Sequence, residues 1–268
     1  MKKKFKLGVI GGGFMAQAII SGVIKSKTLN KKQIAISDVN ETIIQKFTKN
    51  GIMAISSNEY ILQNCEFVLF AVKPQSLNEV IKLQNNFNNL KLISIMAGIK
   101  KDRLKELFPN SLVARAMPNT PCSLGLGAVG LDLSDYAENN DRIFIENIFN
   151  SLAKVVVVPE EKLNAVTGIS GSSPAYFYLF IKALVDVGVK NGLTYDEAKV
   201  LATATMKGSA EMIFANTDKS LDELINAVCS KGGTTIQAVN CFNENKLDSI
   251  VNDAVSACIK RAGELENS

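Results

Sequence analysis

The sequence up to Val158 alternates short runs of apolar and β-branched residues with stretches of helical periodicity. This alternation is typical of a mainly parallel sheet whose successive strands are joined by helices on both faces. Seven runs are predicted strands: KLGVI (6–10), IAIS (34–37), FVLFAV (67–72), KLISI (91–95), SLVARA (111–116), GAVGL (127–131) and KVVVV (154–158). The first part of the chain is therefore predicted to be a doubly wound α/β domain.

Strand patterns stop after Pro159, and the rest of the sequence reads as helices. We therefore predict two domains, with residues 1–160 forming the sheet domain and residues 161–268 an all-helical domain. A helix across 135–152 is expected to close the first domain.

Residues 173–191, SPAYFYLFIKALVDVGVKN, form a predicted helix with very little polar surface. Its charged residues, Lys182, Asp186 and Lys190, fall four apart on one narrow stripe. Such a helix must be buried on most sides, and a helical domain of about 110 residues is too small to bury it alone. We predict an obligate oligomer, a homodimer built through this domain, and leave open whether dimers assemble further.

Composition excludes several classes of function. The chain has no histidine, which excludes imidazole-based mechanisms and removes the commonest transition-metal ligand, so no metal site is expected. Its five cysteines show no metal-binding spacing, which favours free thiols in a reducing compartment and hence a cytoplasmic location. Glycine interrupts the apolar run after the N-terminal lysines, and no later segment is long enough to predict a membrane span.

Charge is unevenly distributed along the chain. Residues 1–158 carry 20 Lys and Arg against 12 Asp and Glu, whereas residues 159–268 carry 10 against 14. The first part therefore favours anionic ligands, although a lysine-rich solvated surface explains the excess equally well. Because there is no arginine cluster and no interleaving of basic and aromatic residues, nucleic acid is not an expected partner.

A glycine loop, GGGFMA at 11–16, directly follows the first predicted strand and opens a helix. In a G-x-G-x-x-A pattern the first glycine permits a tight turn, the second lets a pyrophosphate approach the backbone, and the alanine allows close helix packing. A merely tight turn is the alternative. The order strand, loop, helix and second strand predicts a Rossmann-type dinucleotide site with contacts from Gly11, Gly13, Phe14, Met15 and Ala16.

Asp38 ends the second predicted strand, where an acidic side chain accepts hydrogen bonds from the adenosine ribose hydroxyls. This position favours NADH over NADPH, and no arginine lies nearby in sequence to bind a 2′-phosphate. An Asp that caps the next helix is the alternative interpretation.

Later strand ends should border the nicotinamide because ligands bind at the carboxyl ends of parallel strands. These candidates are Val72, Lys73, Pro74, Ala97, Gly98 and Asn119.

Six segments, taken in order, resemble those of the pyrroline-5-carboxylate reductases: GGGFMAQAI, FAVKPQ, MAG, RAMPNTP, GISGSSPAY and CSKGGTTIQAV. The resemblance covers essentially the whole chain, and its later motifs are far more restrictive than the glycine loop. It implies a Rossmann domain followed by an all-α dimerisation domain. It also implies NAD(P)H-dependent reduction of 1-pyrroline-5-carboxylate to L-proline, the last step of proline biosynthesis. The family commonly uses NADPH, so both NADPH and NADH stay open.

The resemblance also implies roles for individual residues. Glycine and threonine N–H groups at the start of a helix would receive the substrate carboxylate, since a helix N-terminus attracts anions. The residues concerned are Ser230, Gly232, Gly233, Thr234 and Thr235. Thr235, the catalytic candidate, would orient the ring nitrogen, and Asn58 would approach the adenosine end. An ordinary capped helix is the alternative for this loop. Relatives usually carry proline where this chain has Lys231.

A protonated imine is already a strong electrophile, so its reduction needs positioning more than a dedicated acid. Two other activities stay open: reduction of a related cyclic imine, and oxidation of a 3-hydroxyacid. The latter class requires a lysine early in the helical domain, but GISGSSPAYFY has none, and Lys182 is spaced to pair with Asp186. A nucleotide sensor without catalytic activity would be expected to lose the substrate loop, which this chain retains.

Overall fold

The computed structural model describes residues 3–77, 80, 87–137 and 139–266, and within them one sheet has eight strands. The strands are β1 (Phe5–Ile10), β2 (Ile34–Ser37), β3 (Met53–Ile55), β4 (Cys65–Phe70), β5 (Lys91–Ser94), β6 (Leu112–Pro118), β7 (Gly127–Asp132) and β8 (Ala153–Val157). Their order is β3-β2-β1-β4-β5-β6-β7-β8, and only β6 and β7 pair antiparallel. The predicted mainly parallel, doubly wound sheet is confirmed.

Helices cover both faces of this sheet. They are α1 (Phe14–Lys25), α2 (Glu41–Lys49), α3 (Asn58–Asn64), α4 (Lys101–Leu107) and α5 (Asn140–Asn150). One apolar core packs α1 and α5 on the sheet and includes Leu7, Ile19 and Phe149. A second core, with α3 and α4, includes Ile61 and Leu104. Two separate cores are what a sheet covered on both faces requires.

Three of the differences between the predicted and the observed elements have a clear physical reason. Strand β3 was not predicted, because it has three residues, lies at the sheet edge and is only partly buried. The strand predicted at 67–72 ends at Phe70, so Val72 lies in the following turn. The helix predicted at 135–152 begins only at Asn140, because the side chain of Asn139 caps it by accepting from two backbone N–H groups.

The later part of the chain is helical, as predicted. After the single turn α6 (Leu163–Val166) come α7 (Ser173–Lys190), α8 (Tyr195–Ala215), α9 (Leu221–Ala227), α10 (Thr234–Glu244) and α11 (Leu247–Glu266). Lys182 Nζ lies 2.6 Å from Asp186 Oδ2 in an exposed pair, as the spacing predicted. Many apolar side chains of α7 are exposed, including Phe177, Tyr178 and Leu179. A membrane-spanning helix is not found anywhere in the described part of the chain.

By contacts, the chain divides into two compact units, one of residues 1–172 with 258–268 and the other of residues 173–257. A division at residue 160, as predicted, would therefore place residues 161–172 in the helical domain, although these residues pack with the sheet. The reason is close packing on β6 and β7: a Cβ placed at Gly130 would lie 2.6 Å from Val166 Cγ1. The last turns of α11 belong to the sheet unit as well.

Candidate active site

The glycine loop joins β1 to α1, and its first glycine makes the turn. Gly11 has φ +95°, in the left-handed region that favours glycine. Its N–H donates to Ser37 O at 2.8 Å, which ties the loop to the end of β2. A Cβ at Gly11 would lie 2.8 Å from Val72 Cγ1, so this turn and the turn after β4 are in close contact.

Gly12 is required by packing, a role that the glycine pattern alone did not indicate. A Cβ at this position would lie 2.4 Å from Ile43 Cγ2, and 3.2 Å from both Ile36 Cδ1 and Phe47 Cε2. Helix α2 therefore packs directly on the loop backbone. The N–H of Gly12 donates to Asp38 Oδ2 at 2.6 Å.

Gly13 faces open space. It is the N-cap residue of α1, with φ −64°, and a Cβ added there would meet no neighbouring atom of the described residues within 4 Å. Internal packing therefore does not explain this glycine, whereas a phosphate approaching the first-turn N–H groups does. Phe14 is 60% exposed beside it and Ala16 is buried against the sheet. The loop thus fits the pyrophosphate of a dinucleotide.

The end of β2 brings Asp38 and Asn58 to the same edge of the loop. Asp38 is not the cap of α2; Asn40 is, and it accepts from the N–H of Thr42 at 2.9 Å. Asp38 accepts from Asn40 N–H at 2.8 Å as well as from Gly12, so it shapes the loop. Asn58, the first residue of α3, accepts from the hydroxyl of Ser37 at 2.6 Å. Contacts of Asp38 and Asn58 with a cofactor stay predictions.

The turns after β4 and β5 border a common cleft of about 820 Å³. Its lining includes both turns and the end of α11: Pro74, Ala97, Gly98, Lys100, Leu265 and Glu266. Lys73 and Ala97 are exposed, and Gly98 has φ +74°. These predicted contacts therefore lie together at the carboxyl ends of neighbouring parallel strands, where a ligand of such a sheet binds.

Asn119 lies after β6 and is 8% exposed. Its side-chain oxygen accepts from Ala128 N–H at 3.0 Å, and its amide nitrogen donates to Ser170 O at 3.2 Å. The side chain therefore holds the segment around Ser170 against β6 and β7. Asn119 therefore has a structural role, and its contact with the cofactor remains a prediction.

The predicted substrate loop, residues 230–235, precedes α10. Gly232 has φ +74°, and the N–H of Gly233 donates to Ser230 O at 3.0 Å, which closes the turn. Gly233 is the N-cap residue of α10, and among the described residues no side chain caps the helix there. An ordinary capped helix with a Gly-Gly turn stays the alternative interpretation. Thr234 and Thr235 are exposed in the first turn. The arrangement leaves first-turn N–H groups for an anion.

Arg115 is a buried charge whose role the sequence analysis missed. It is 3% exposed within β6 and lies between the carboxylates of Glu160 and Glu266. A charged residue inside an apolar strand signals a buried partner, but its spacing does not identify that partner. In the described part of the chain, no cluster of three His, Cys, Asp or Glu residues is placed to hold a metal ion.

Comparison with known proteins agrees with these features. A family model described as pyrroline-5-carboxylate reductase dimerisation matches residues 160–265, and one described as NADP oxidoreductase coenzyme F420-dependent matches residues 6–98. Proteins named pyrroline-5-carboxylate reductase from Synechocystis sp. and Haemophilus influenzae are 37% and 36% identical to the chain. These alignments cover 97% of this chain and 98% and 97% of the two relatives.

The chain belongs to the pyrroline-5-carboxylate reductase family.

Solved structures of the family share its fold. The pyrroline-5-carboxylate reductase of Coxiella burnetii matches with a TM-score of 0.88 at 28% identity, covering 99% of this chain and 100% of that one. The Plasmodium falciparum pyrroline carboxylate reductase, solved with NADP bound, matches with a TM-score of 0.83 at 29% identity and the same coverage. The resemblance seen in the motifs thus extends to the whole architecture of the reductase family.

Proposed function

We propose that this protein is a pyrroline-5-carboxylate reductase, which reduces the C=N bond of 1-pyrroline-5-carboxylate to give L-proline. The observation that carries the proposal is full-length similarity to relatives of that name, at 37% identity over 97% of the chain. The chain also retains both loops on which such a reaction depends, the glycine loop at 11–16 and the SKGGTT loop at 230–235.

The cofactor is NADPH or NADH, which supplies the hydride when bound. Three features support this cofactor: the open space at Gly13, the left-handed turn at Gly11, and the cleft beside Ala97 and Gly98. Gly11, Gly13 and Phe14 to Ala16 would hold the phosphates, and Asp38 and Asn58 would border the adenosine ribose. The turns of Val72 to Pro74 and Ala97 to Gly98, with Asn119, would border the nicotinamide.

The substrate carboxylate is held by the start of α10. Backbone N–H groups of Thr234 and Thr235 lie in the first turn of the helix, and a charge at such a site gains about 0.3–1 kcal/mol when exposed. Ser230 adds a hydroxyl, and Lys231 adds a positive charge. Thr235 orients the ring nitrogen, which is protonated in the reactive imine and keeps that proton in the product amine. Positioning of this kind contributes up to about 7–11 kcal/mol to catalysis.

The assembly is a homodimer that buries the apolar surface of α7. Support comes from the exposure of Phe177, Tyr178 and Leu179 and from the dimerisation family model over residues 160–265. Sedimentation or light scattering of the purified protein tests this, and a monomer at micromolar concentration would contradict it.

All five cysteines are free thiols, which supports a reducing compartment such as the cytoplasm.

Among other substrates, a related cyclic imine fits the same loop and is the second candidate. A 3-hydroxyacid is disfavoured because Lys182 is paired with Asp186, and its side chain is 70% exposed. The deciding experiment follows the absorbance of NADPH, then of NADH, with 1-pyrroline-5-carboxylate, a second cyclic imine and a ketoacid. Oxidation with the pyrroline alone supports the proposal. Turnover only on another substrate, or on none, refutes it.

A further inference from the structure

The turn between β5 and α4, residues 97–100, is contacted by the end of the last helix. A Cβ at Gly98 would lie 2.9 Å from Leu265 O and 3.1 Å from Leu265 C, so the two backbones are in van der Waals contact. Gly98 also has φ +74°. Both the left-handed φ and the close approach of Leu265 therefore require glycine at position 98, whether or not a ligand is bound.

The end of that helix is held by a buried carboxylate. Glu266 Oε1 accepts from both terminal nitrogens of Arg115 at 3.2 Å, and Oε2 accepts from Asn164 Nδ2 at 2.9 Å. Lys100 Nζ, within the turn itself, lies 3.7 Å from Oε2. The side chains of Arg115 and Glu266 are 3% and 8% exposed, so the contact is largely shielded from solvent.

A second carboxylate fixes the other side of the turn. Glu160 Oε1 accepts from the backbone N–H of Lys101, the first residue of α4, at 2.8 Å and from Arg115 Nη1 at 2.7 Å. Lys100, the N-cap residue of α4, makes no side-chain cap of its own. Arg115 thus joins both carboxylates, and the turn is fixed at Gly98 and at Lys101 through this one guanidinium.

We infer that Glu266, oriented by Arg115, is a positioning residue that sets the conformation of the Ala97–Gly98 turn for cofactor binding. The inference rests on the proposed placement of the nicotinamide beside this turn. Glu266 itself need not touch the cofactor; it acts through Leu265 and Gly98. The buried ion pair of Arg115 and Glu266 would thus fix one backbone conformation of this turn, in addition to any contribution to stability.

The test compares Glu266→Ala with Glu264→Ala. Glu264 lies on the same helix and makes an exposed pair with Arg261 at 2.8 Å, so it is a matched control. Two measurements are made without substrate: the dissociation constant of NADPH from its fluorescence, and hydrogen exchange of residues 98–101 in the cofactor-free protein. Kinetic constants for the pyrroline follow at a temperature where every variant is folded.

Glu266→Ala should raise the dissociation constant of NADPH by about fivefold or more, as for a modest coupling between sites. It should also speed exchange at 98–101 by a similar factor, because local opening is no longer opposed. Glu266→Gln, which keeps an oxygen for Arg115, should recover most of the affinity. Glu264→Ala should match the wild type in NADPH affinity and in hydrogen exchange. In each variant the KM for the pyrroline should stay within about twofold of the wild-type value.

Unchanged NADPH affinity and exchange in Glu266→Ala would overturn the inference, as would equal losses in Glu264→Ala. A lower melting temperature with wild-type binding constants would also overturn it, since it would assign Glu266 to stability alone. The proposed function fails separately: a wild type that binds NADPH but leaves the pyrroline unreduced refutes the reductase, while the effect of Glu266→Ala on NADPH binding is still measurable.

Discussion

Gly12 donates its backbone N–H to Asp38 Oδ2 at 2.6 Å, and this hydrogen bond joins the glycine loop to the carboxylate that follows β2. Asn in place of Asp38 keeps one of the two acceptor oxygens that bind Gly12 and Asn40 N–H, and it removes the negative charge that repels a 2′-phosphate. We predict that Asp38→Asn raises the ratio of kcat/KM for NADPH to that for NADH by about tenfold, or about 1.4 kcal/mol. Steady-state kinetics with both cofactors measure it.

Glu106→Gln is the control for that prediction, because Glu106 makes an exposed pair with Arg103 on α4. An unchanged ratio in Asp38→Asn would mean that Asp38 only shapes the loop and does not discriminate between the cofactors.

Gly12 and Gly13 should respond in opposite ways to alanine. Gly12→Ala places a Cβ 2.4 Å from Ile43 Cγ2 and should destabilise the fold by about 1–3 kcal/mol. Gly13→Ala meets no neighbour and should cost less than about 1 kcal/mol, as a poorer N-cap. It should nevertheless raise the dissociation constant of NADPH about tenfold. Thermal unfolding and fluorescence titration separate the two effects, and intact NADPH binding in Gly13→Ala would contradict the proposed phosphate site.

Thr235→Val keeps the shape of the side chain and removes its hydroxyl. If Thr235 orients the protonated ring nitrogen, kcat/KM for the pyrroline should fall about tenfold to a hundredfold, as for a lost bond to a charged group. The dissociation constant of NADPH should not change. Thr42→Val is the matched control, since Thr42 is the second residue of α2 as Thr235 is of α10. Full activity of Thr235→Val would remove this residue from the mechanism.

Asp135 should make stability depend on pH in the acid range. Burial alone raises the pKa of this carboxyl, but Lys105, the N–H of Val113 and Lys101 outweigh burial and hold the pKa below its ordinary value. A lowered pKa stabilises the fold above the unfolded-state pKa of about 4, and this contribution is lost as pH falls through the folded-state pKa. Asp135→Asn should therefore lower stability at pH 7 by about 1–3 kcal/mol.

The difference between Asp135→Asn and wild type should narrow as pH falls from 5 to 3, which thermal unfolding across that range measures. Asp102→Asn, at an exposed position on α4, is the control, since it removes a carboxyl without removing the contacts of Asp135. A constant difference at all pH values would contradict the assignment to this carboxyl.

The sequence predicted the parts of the fold that local pattern determines. The central strands are continuous apolar runs, and α7 begins and ends within one residue of its predicted limits. Strand β3 was missed because Met53–Ile55 has only three residues and is only partly buried, and so short an apolar run does not distinguish a strand from a helix or a turn. Its pairing with β2 at the edge of the sheet, not its own composition, makes it a strand.

The candidate site was predictable where a motif describes backbone geometry and not where distant side chains meet. The glycine loop and the SKGGTT turn depend on neighbouring residues, and both have the left-handed glycines that such turns require. The partners of Arg115, by contrast, are 45 and 151 residues away in sequence, and only the tertiary fold brings them together. The packing of Ile43 on Gly12 is hidden for the same reason.

The contact of Leu265 with Gly98 has a consequence for synthesis of the chain. A ribosome makes Arg115 151 residues before Glu266, an interval of roughly 8–30 s at about 5–20 residues per second. During that time the nascent sheet can form, but Arg115 has only Glu160 for a partner and the turn at Gly98 lacks its neighbour. The turn at Gly98 is therefore completed by residues that the ribosome adds about 150 positions after Arg115.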